Sequence, residues 1–288
     1  MATVSTIKSE TLQVPGGSLY FEVRGSGPVL LLMPGGPADA TTFRRMEDRL
    51  AADYTVVTYD PRGLSHSSAF DPSDDARMVE IFADDVHRLL AETGQGRACV
   101  FGSSGGALIA LELAKRHPEQ LDTVVAHEPP SPALLSDTAR VRAAMEDVCD
   151  ACASEGLWPA MGRFMTLVGI QGGPPPAAEG EPTPEMLEAQ ALMERNLEFF
   201  LGRYIRNIAR YEPDLEALRA CTCRIVPAVG AESEGQLAHD GGLGLAKKLG
   251  IEAIVFPGDH GGFDGRPEEF AYKLREVLLG DGLRGVHR

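Results

Sequence analysis

Residues 99–110 read C-V-F-G-S-S-G-G-A-L-I-A, two serines enclosed by glycines between two apolar runs. An ordinary loop would be one reading of so much serine and glycine. The flanks favour another. The run before the cluster is short, apolar and β-prone; the run after it is apolar at helical spacing. Gly102-Ser103-Ser104-Gly105-Gly106 therefore fits G-x-S-x-G at a strand-to-helix turn, where missing side chains let the backbone bend sharply and expose the central hydroxyl. The start of a helix also favours developing negative charge. Ser104 is the expected nucleophile and Ser103 the weaker candidate.

Working outward, the chain alternates strand-like and helix-like segments, which predicts an α/β fold. V-L-L-L-M (29–33) and T-V-V-T-Y (55–59) are continuous apolar runs, as expected of strands buried on both faces. L-Y-F-E-V (19–23) alternates and suggests a half-exposed strand. Further strands are expected at 98–101, 121–126, 224–230 and 251–256. Helices are expected near 41–52, 76–92, 105–117, 242–249 and 267–279. Residues 131–215 break the rhythm. They read as a helical cap inserted into a core made of 1–130 and 216–288, with a Pro- and Gly-rich stretch at 171–184 expected as a flexible loop.

The formal net charge of −15 disfavours nucleic acid and anionic membranes as partners. No apolar stretch approaches the roughly 20 residues of a membrane span, and the first ten residues lack a secretory apolar core. The five cysteines stand at no metal-binding spacing with histidine and read as structural thiols of a reducing cytoplasm. A small-molecule substrate is the expected partner, with no metal and no cofactor called for. A homodimer is left open.

A serine nucleophile needs a base. Of seven histidines, His260 follows the last strand in P-G-D-H-G-G-F, where it can stand over the C-terminal edge of the sheet beside Ser104. His66 follows the D-P-R-G segment and could line a pocket. The acid is less clear. Glu128 ends the strand after the nucleophile's helix, in H-E-P-P, whose prolines stiffen the exit. Glu232 and Glu234 are alternatives in the loop after 224–230; Asp259 adjoins His260 and is poorly placed to orient it.

Together these features resemble the α/β-hydrolase family over about residues 15–280. M-P-G-G-P (33–37) is similar to its H-G-G-P segment, Y-D-P-R-G-L-S-H-S-S (59–68) to its D-x-R-G-x-G-x-S loop, and 257–263 to its catalytic-histidine loop. The resemblance implies an oxyanion hole from the Gly36 and Gly105 amides. It also implies acyl transfer to water, since the dehalogenase and epoxide hydrolase branches carry Asp in place of Ser104. Three departures stand out. Pro34 replaces the usual His, Ser65 a usual Gly, and Ser233 the usual acid after the cap. Zearalenone-type lactone hydrolases place the acid where Glu128 stands. The apolar cap, with Trp158, Phe164 and Met165 as expected pocket residues, favours a hydrophobic ester or lactone. A proline-iminopeptidase-like activity is the runner-up; a non-hydrolytic oxygenase or cyclase and a ligand receptor are the other options.

Overall fold

The computed structural model describes residues 6–94, 96–170 and 183–280. The apolar runs form one sheet of eight strands: β1 (Lys8–Val14), β2 (Gly17–Gly25), β3 (Val29–Met33), β4 (Thr55–Tyr59), β5 (Ala98–Ser103), β6 (Leu121–His127), β7 (Arg224–Gly230) and β8 (Ile254–Phe256). Their spatial order is β1-β2-β4-β3-β5-β6-β7-β8. β1 and β2 are antiparallel to their neighbours, and every pairing from β4 to β8 is parallel. Leu30, Leu31, Leu32 and Met33 are fully buried because both faces of β3 are covered, as a parallel sheet between helical layers requires.

The helices are α1 (Arg44–Leu50), α2 (Met78–Thr93), α3 (Gly105–Arg116), α4 (Thr138–Ser154), α5 (Leu157–Val168), α6 (Pro184–Phe199), α7 (Ile205–Arg210), α8 (Leu215–Ala220), α9 (Leu237–Leu249), α10 (Gly262–Gly265) and α11 (Pro267–Leu279). The sheet divides the apolar core in two. One half gathers side chains of α2, α3, α8 and α9, and α4, α5 and α7 continue it. The other packs Phe43, Met46 and Leu50 against Phe270, Leu274 and Val277, from the α1 and α11 side.

Helices α4 to α7 all lie between β6 and β7 in the chain. A single π-helical turn, Phe200–Tyr204, joins α6 to α7. Wider turns of this kind recur at functional sites, and here the turn carries two cavity-facing aromatics, Phe200 and Tyr204. Arg203 in the same turn ties this segment to the region after β4, donating to Phe70 O at 3.0 Å and to the Asp75 carboxylate. The stretch expected as a flexible loop lies outside the described residues, apart from its last two. Thr183 instead caps α6, accepting the Met186 amide at 3.3 Å, with Pro184 at the first helical position.

Candidate active site

Ser104 stands between the last residue of β5 and the first of α3, with φ 58° and ψ −127°. A side chain is held in this region only when its surroundings over-determine it, at a cost of about 1–3 kcal/mol. The surroundings are packed tightly enough. A Cβ on Gly102 would lie 2.6 Å from Gly106 O, and one on Gly106 would lie 2.5 Å from both Met33 O and Pro34 O. The Ser104 amide donates to His127 O at 2.9 Å, which fixes the turn to the end of β6.

Beside the turn runs the 33–37 segment. A Cβ on Gly35 would come within 2.5 Å of Ser103 O and 2.7 Å of the Gly105 nitrogen, so this loop lies directly against the Ser104 turn. Gly105 is the first residue of α3, and its amide has no acceptor within the helix. Gly36 and Gly105 both line the cavity that Ser104 faces.

Glu128 directly follows β6 and also has a left-handed backbone, φ 51°. Its amide donates to Ala228 O at 2.9 Å, and its side chain is completely buried. Oε2 receives His260 Nδ1 at 2.5 Å. Oε1 receives the Gly230 amide at 2.8 Å and the Ser233 hydroxyl. Burial alone would push the carboxyl up. The hydrogen bond and charge of His260 and the Ser233 hydrogen bond outweigh it, holding Glu128 at about 2. Glu128 is therefore a carboxylate throughout the neutral range. Ser233 Oγ also lies 3.0 Å from His239 Nδ1. Because the one hydroxyl proton goes to Glu128, His239 must donate to Ser233.

His127 is fully enclosed, its ring 5.7 Å from that of Phe101 and 5.6 Å from that of Phe270. Its Nδ1 lies 3.3 Å from Ser103 Oγ, and its Nε2 is buried with no partner among the described residues. Burial pushes its imidazole down to about 3, so it is neutral. Ligand-type atoms of His127, Glu128 and His260 lie within 4.8 Å of one another. Each oxygen of Glu128 already accepts a donor, so hydrogen bonding accounts for this cluster.

Ser104 and His260 share the floor of a cavity of about 340 Å³. No hydrogen bond joins them among the described residues; such bonds often tighten only when substrate is bound. The walls are apolar, chiefly Met145, Met161, Phe164, Met165, Val168 and Phe200. Phe164 and Met165 thus reach the cavity, on the inward stripe of α5. Trp158 does not, and the expectation for it is corrected: its side chain is 62% exposed. It sits in the first turn of α5, where side chains lean toward the helix start and so overhang solvent. His66 is corrected as well. Asp60 Oδ2 accepts both the His66 amide at 2.8 Å and its Nδ1 at 2.9 Å. This turns the ring onto Tyr20, with centroids 4.9 Å apart.

Neither alternative acid reaches His260. Glu232 pairs with Arg266 on the surface, and Glu234 is exposed. One residue of this neighbourhood was not foreseen from sequence. Asn196 of α6 is 5% exposed and bonds to both the 33–37 segment and the loop after β4. A lone Asn on a helix gave no signal for that.

A mostly parallel sheet with a G-x-S-x-G turn after β5, a glycine segment against that turn and a run of helices between β6 and β7 define an α/β hydrolase. Comparison with known proteins agrees. A family model for the alpha/beta hydrolase fold matches residues 28–150. The chain is 37% identical over 279 residues to an uncharacterized hydrolase, YraK, of Bacillus subtilis (strain 168), covering 95% of this chain and 97% of that protein. It is 28% identical over 275 residues to a zearalenone hydrolase of Bionectria ochroleuca, covering 93% and 96%. A thermophilic esterase from Thermogutta terrifontis superposes with a TM-score of 0.69 at 19% identity, covering 94% and 98%. The chain belongs to the α/β-hydrolase fold family, as a hydrolase of that superfamily. Among the described residues no helix is long and apolar enough to cross a membrane.

Proposed function

We propose that the protein is a serine hydrolase that cleaves an ester or lactone of a small, largely hydrophobic molecule through Ser104, His260 and Glu128. The observation that carries this reading is the 2.5 Å hydrogen bond from His260 Nδ1 to a fully buried carboxylate, on the floor of a cavity that also holds Ser104. Glu128 accepts the Nδ1 proton, which leaves the Nε2 lone pair free to take the proton of Ser104 Oγ. Ser104 then attacks the carbonyl carbon. The Gly36 and Gly105 amides donate to the oxyanion that forms, each worth about 2.7–4 kcal/mol in the transition state. Protonated His260, stabilised by Glu128, returns the proton to the leaving oxygen. Water then repeats the sequence on the acyl-enzyme.

The apolar walls support a hydrophobic acyl or ring substituent over a charged one. Similarity to a zearalenone hydrolase supports a lactone as one form of the substrate. The aminopeptidase reading needs a carboxylate to hold a substrate amine, and among the described residues none lines the cavity. Of the cap glutamates, Glu146 faces Arg210 and Glu155 faces Arg163 on the surface.

Ser104→Ala tests the reading. It should abolish labelling by a fluorophosphonate probe and lower hydrolysis of short p-nitrophenyl esters by about 10⁴-fold or more. Labelling that persists in the variant would refute the nucleophile. A wild-type protein that binds an apolar ligand tightly without labelling or turnover would make it a receptor instead.

A further inference from the structure

The proposed oxyanion donor Gly36 lies in Gly35-Gly36-Pro37, with φ +63° at Gly36. Two successive glycines are the most permissive backbone available, and the turn bond that spans them, from the Ala38 amide to Gly35 O, is long at 3.3 Å, so contacts from outside the segment add to what fixes its direction. Pro37 is stiff at φ, so whatever fixes the Pro37 carbonyl also restricts the Gly36 peptide. That carbonyl accepts Asn196 Nδ2 at 3.1 Å, across from the cap. The same Nδ2 donates its second proton to Ser65 Oγ at 2.9 Å, and Asn196 Oδ1 accepts the Ser65 amide at 2.9 Å. Ser65 Oγ in turn donates to Asp39 Oδ2 at 2.7 Å, two residues past Pro37. Every proton in this cluster has one acceptor, and both amide protons of Asn196 are spent.

Two further features fit a functional role. Ser65 holds a left-handed backbone, φ 44°, at the position where the family pattern resembled by residues 59–68 has glycine. A serine kept there despite the strain supplies a hydroxyl that glycine cannot. Four residues after Asn196, the Phe200 ring lies 3.5 Å from where a Gly36 Cβ would be, so the cap meets this segment twice.

We propose that Asn196 is a positioning residue through which the cap holds the Gly36 amide in its oxyanion-binding direction. The hole is then complete only while α6 is seated, and cap closure and transition-state stabilisation are one event. This inference rests on the serine-hydrolase reading, with Gly36 as a donor.

The test uses Asn196→Asp, which keeps the shape and the acceptor for the Ser65 amide but sets a carboxylate oxygen against the Pro37 carbonyl. Substrates are p-nitrophenyl esters. The probe for the hole is an aryl trifluoromethyl ketone, whose adduct with Ser104 carries the oxyanion. A misdirected donor should lower kcat by about tenfold to a hundredfold with KM within about threefold, and ketone affinity should fall by the same factor. A merely structural tie would raise KM or lower Tm and leave ketone affinity and kcat in step with wild type. Ser65→Gly is the second variant, since glycine accepts φ 44° without strain. It should show the same split, at several-fold, and decides the matter alone if Asn196→Asp fails to fold. Both variants keeping kcat and ketone affinity within about twofold would overturn the latch. A wild-type protein that neither labels nor hydrolyses overturns the serine-hydrolase reading and the latch with it, whereas intact wild-type labelling isolates the latch.

Discussion

Glu128→Gln changes one atom in a fully enclosed site, and the hydrogen bonds around it decide the outcome. Glu128 Oε1 accepts two protons, from the Gly230 amide and Ser233 Oγ, while Oε2 accepts one from His260. A glutamine has a single oxygen. It will keep that oxygen toward the two donors and turn its NH₂ toward His260. Nδ1 must then accept rather than donate, so the imidazole proton moves to Nε2, where it faces Ser104 and blocks general-base catalysis. The charge is lost too. Unit charges about 4 Å apart at an effective dielectric near 20 interact by about 4 kcal/mol, or about 10³-fold in rate. With the tautomer effect, kcat should fall by about 10³- to 10⁴-fold while KM changes little. Steady-state hydrolysis of p-nitrophenyl esters measures this, with circular dichroism to verify folding. Glu232→Gln and Glu234→Gln, at surface positions away from His260, should stay within about twofold of wild type. A folded Glu128→Gln enzyme within about tenfold of wild type, or an equal loss in either control, would refute the assignment.

Other outcomes follow from the same neighbourhood. Ser233→Ala removes one of three donors to a buried carboxylate, worth about 1.5–3 kcal/mol; kcat should drop about tenfold in the ester assay, and an unchanged rate would show that Ser233 does not support Glu128. His127 bears on acid stability. Its folded value of about 3 lies below the ordinary 6.5, so the unfolded chain binds the extra proton between these limits. Its contribution is intact above pH 6.5 and is lost as pH falls toward 3, about 3–5 kcal/mol in full. His127→Phe suits the surrounding Phe101, Phe256 and Phe270 rings and should flatten this loss. Chemical unfolding at pH 5 and 8 measures it; parallel pH dependences in the two proteins would contradict the burial argument.

The parallel strands were legible because each is a short apolar run buried on both faces, with a turn signal at its end. β1 was not. K-S-E-T-L-Q-V lies at the sheet edge, paired on one side and largely exposed, so it needs no apolar pattern. The expected helix at 242–249 starts five residues earlier, at Leu237. Gly241, Gly242 and Gly244 obscure its periodicity, and they are there because Pro129, Ala228 and Leu134 backbone atoms crowd the helix. The placement of Ser104, Glu128 and His260 was legible because Ser104 and Glu128 directly follow β5 and β6 and His260 stands in the short loop after β8, at one edge of the sheet. The supports behind them were not. His239 meets Ser233 across a loop, and Asn196 meets Ser65 across 131 residues of chain. Contacts of that kind leave no local pattern. For Trp158 the pattern was present but misled, since the helical stripe that holds Met161 and Phe164 runs past the end of the cavity.

Glu128 precedes the cap in the chain, and this bears on how such a protein can change. The proposed nucleophile and acid belong to one contiguous β5-α3-β6 unit, 24 residues apart (128 − 104). An acid in the loop after β7 would instead be separated from Ser104 by the whole insertion. Here the insertion between β6 and β7 can be lengthened, trimmed or exchanged while the spacing of Ser104 and Glu128 stays the same. The part of the molecule that shapes the cavity walls can thus diverge around the Asn196 contacts without changing the spacing of Ser104 and Glu128.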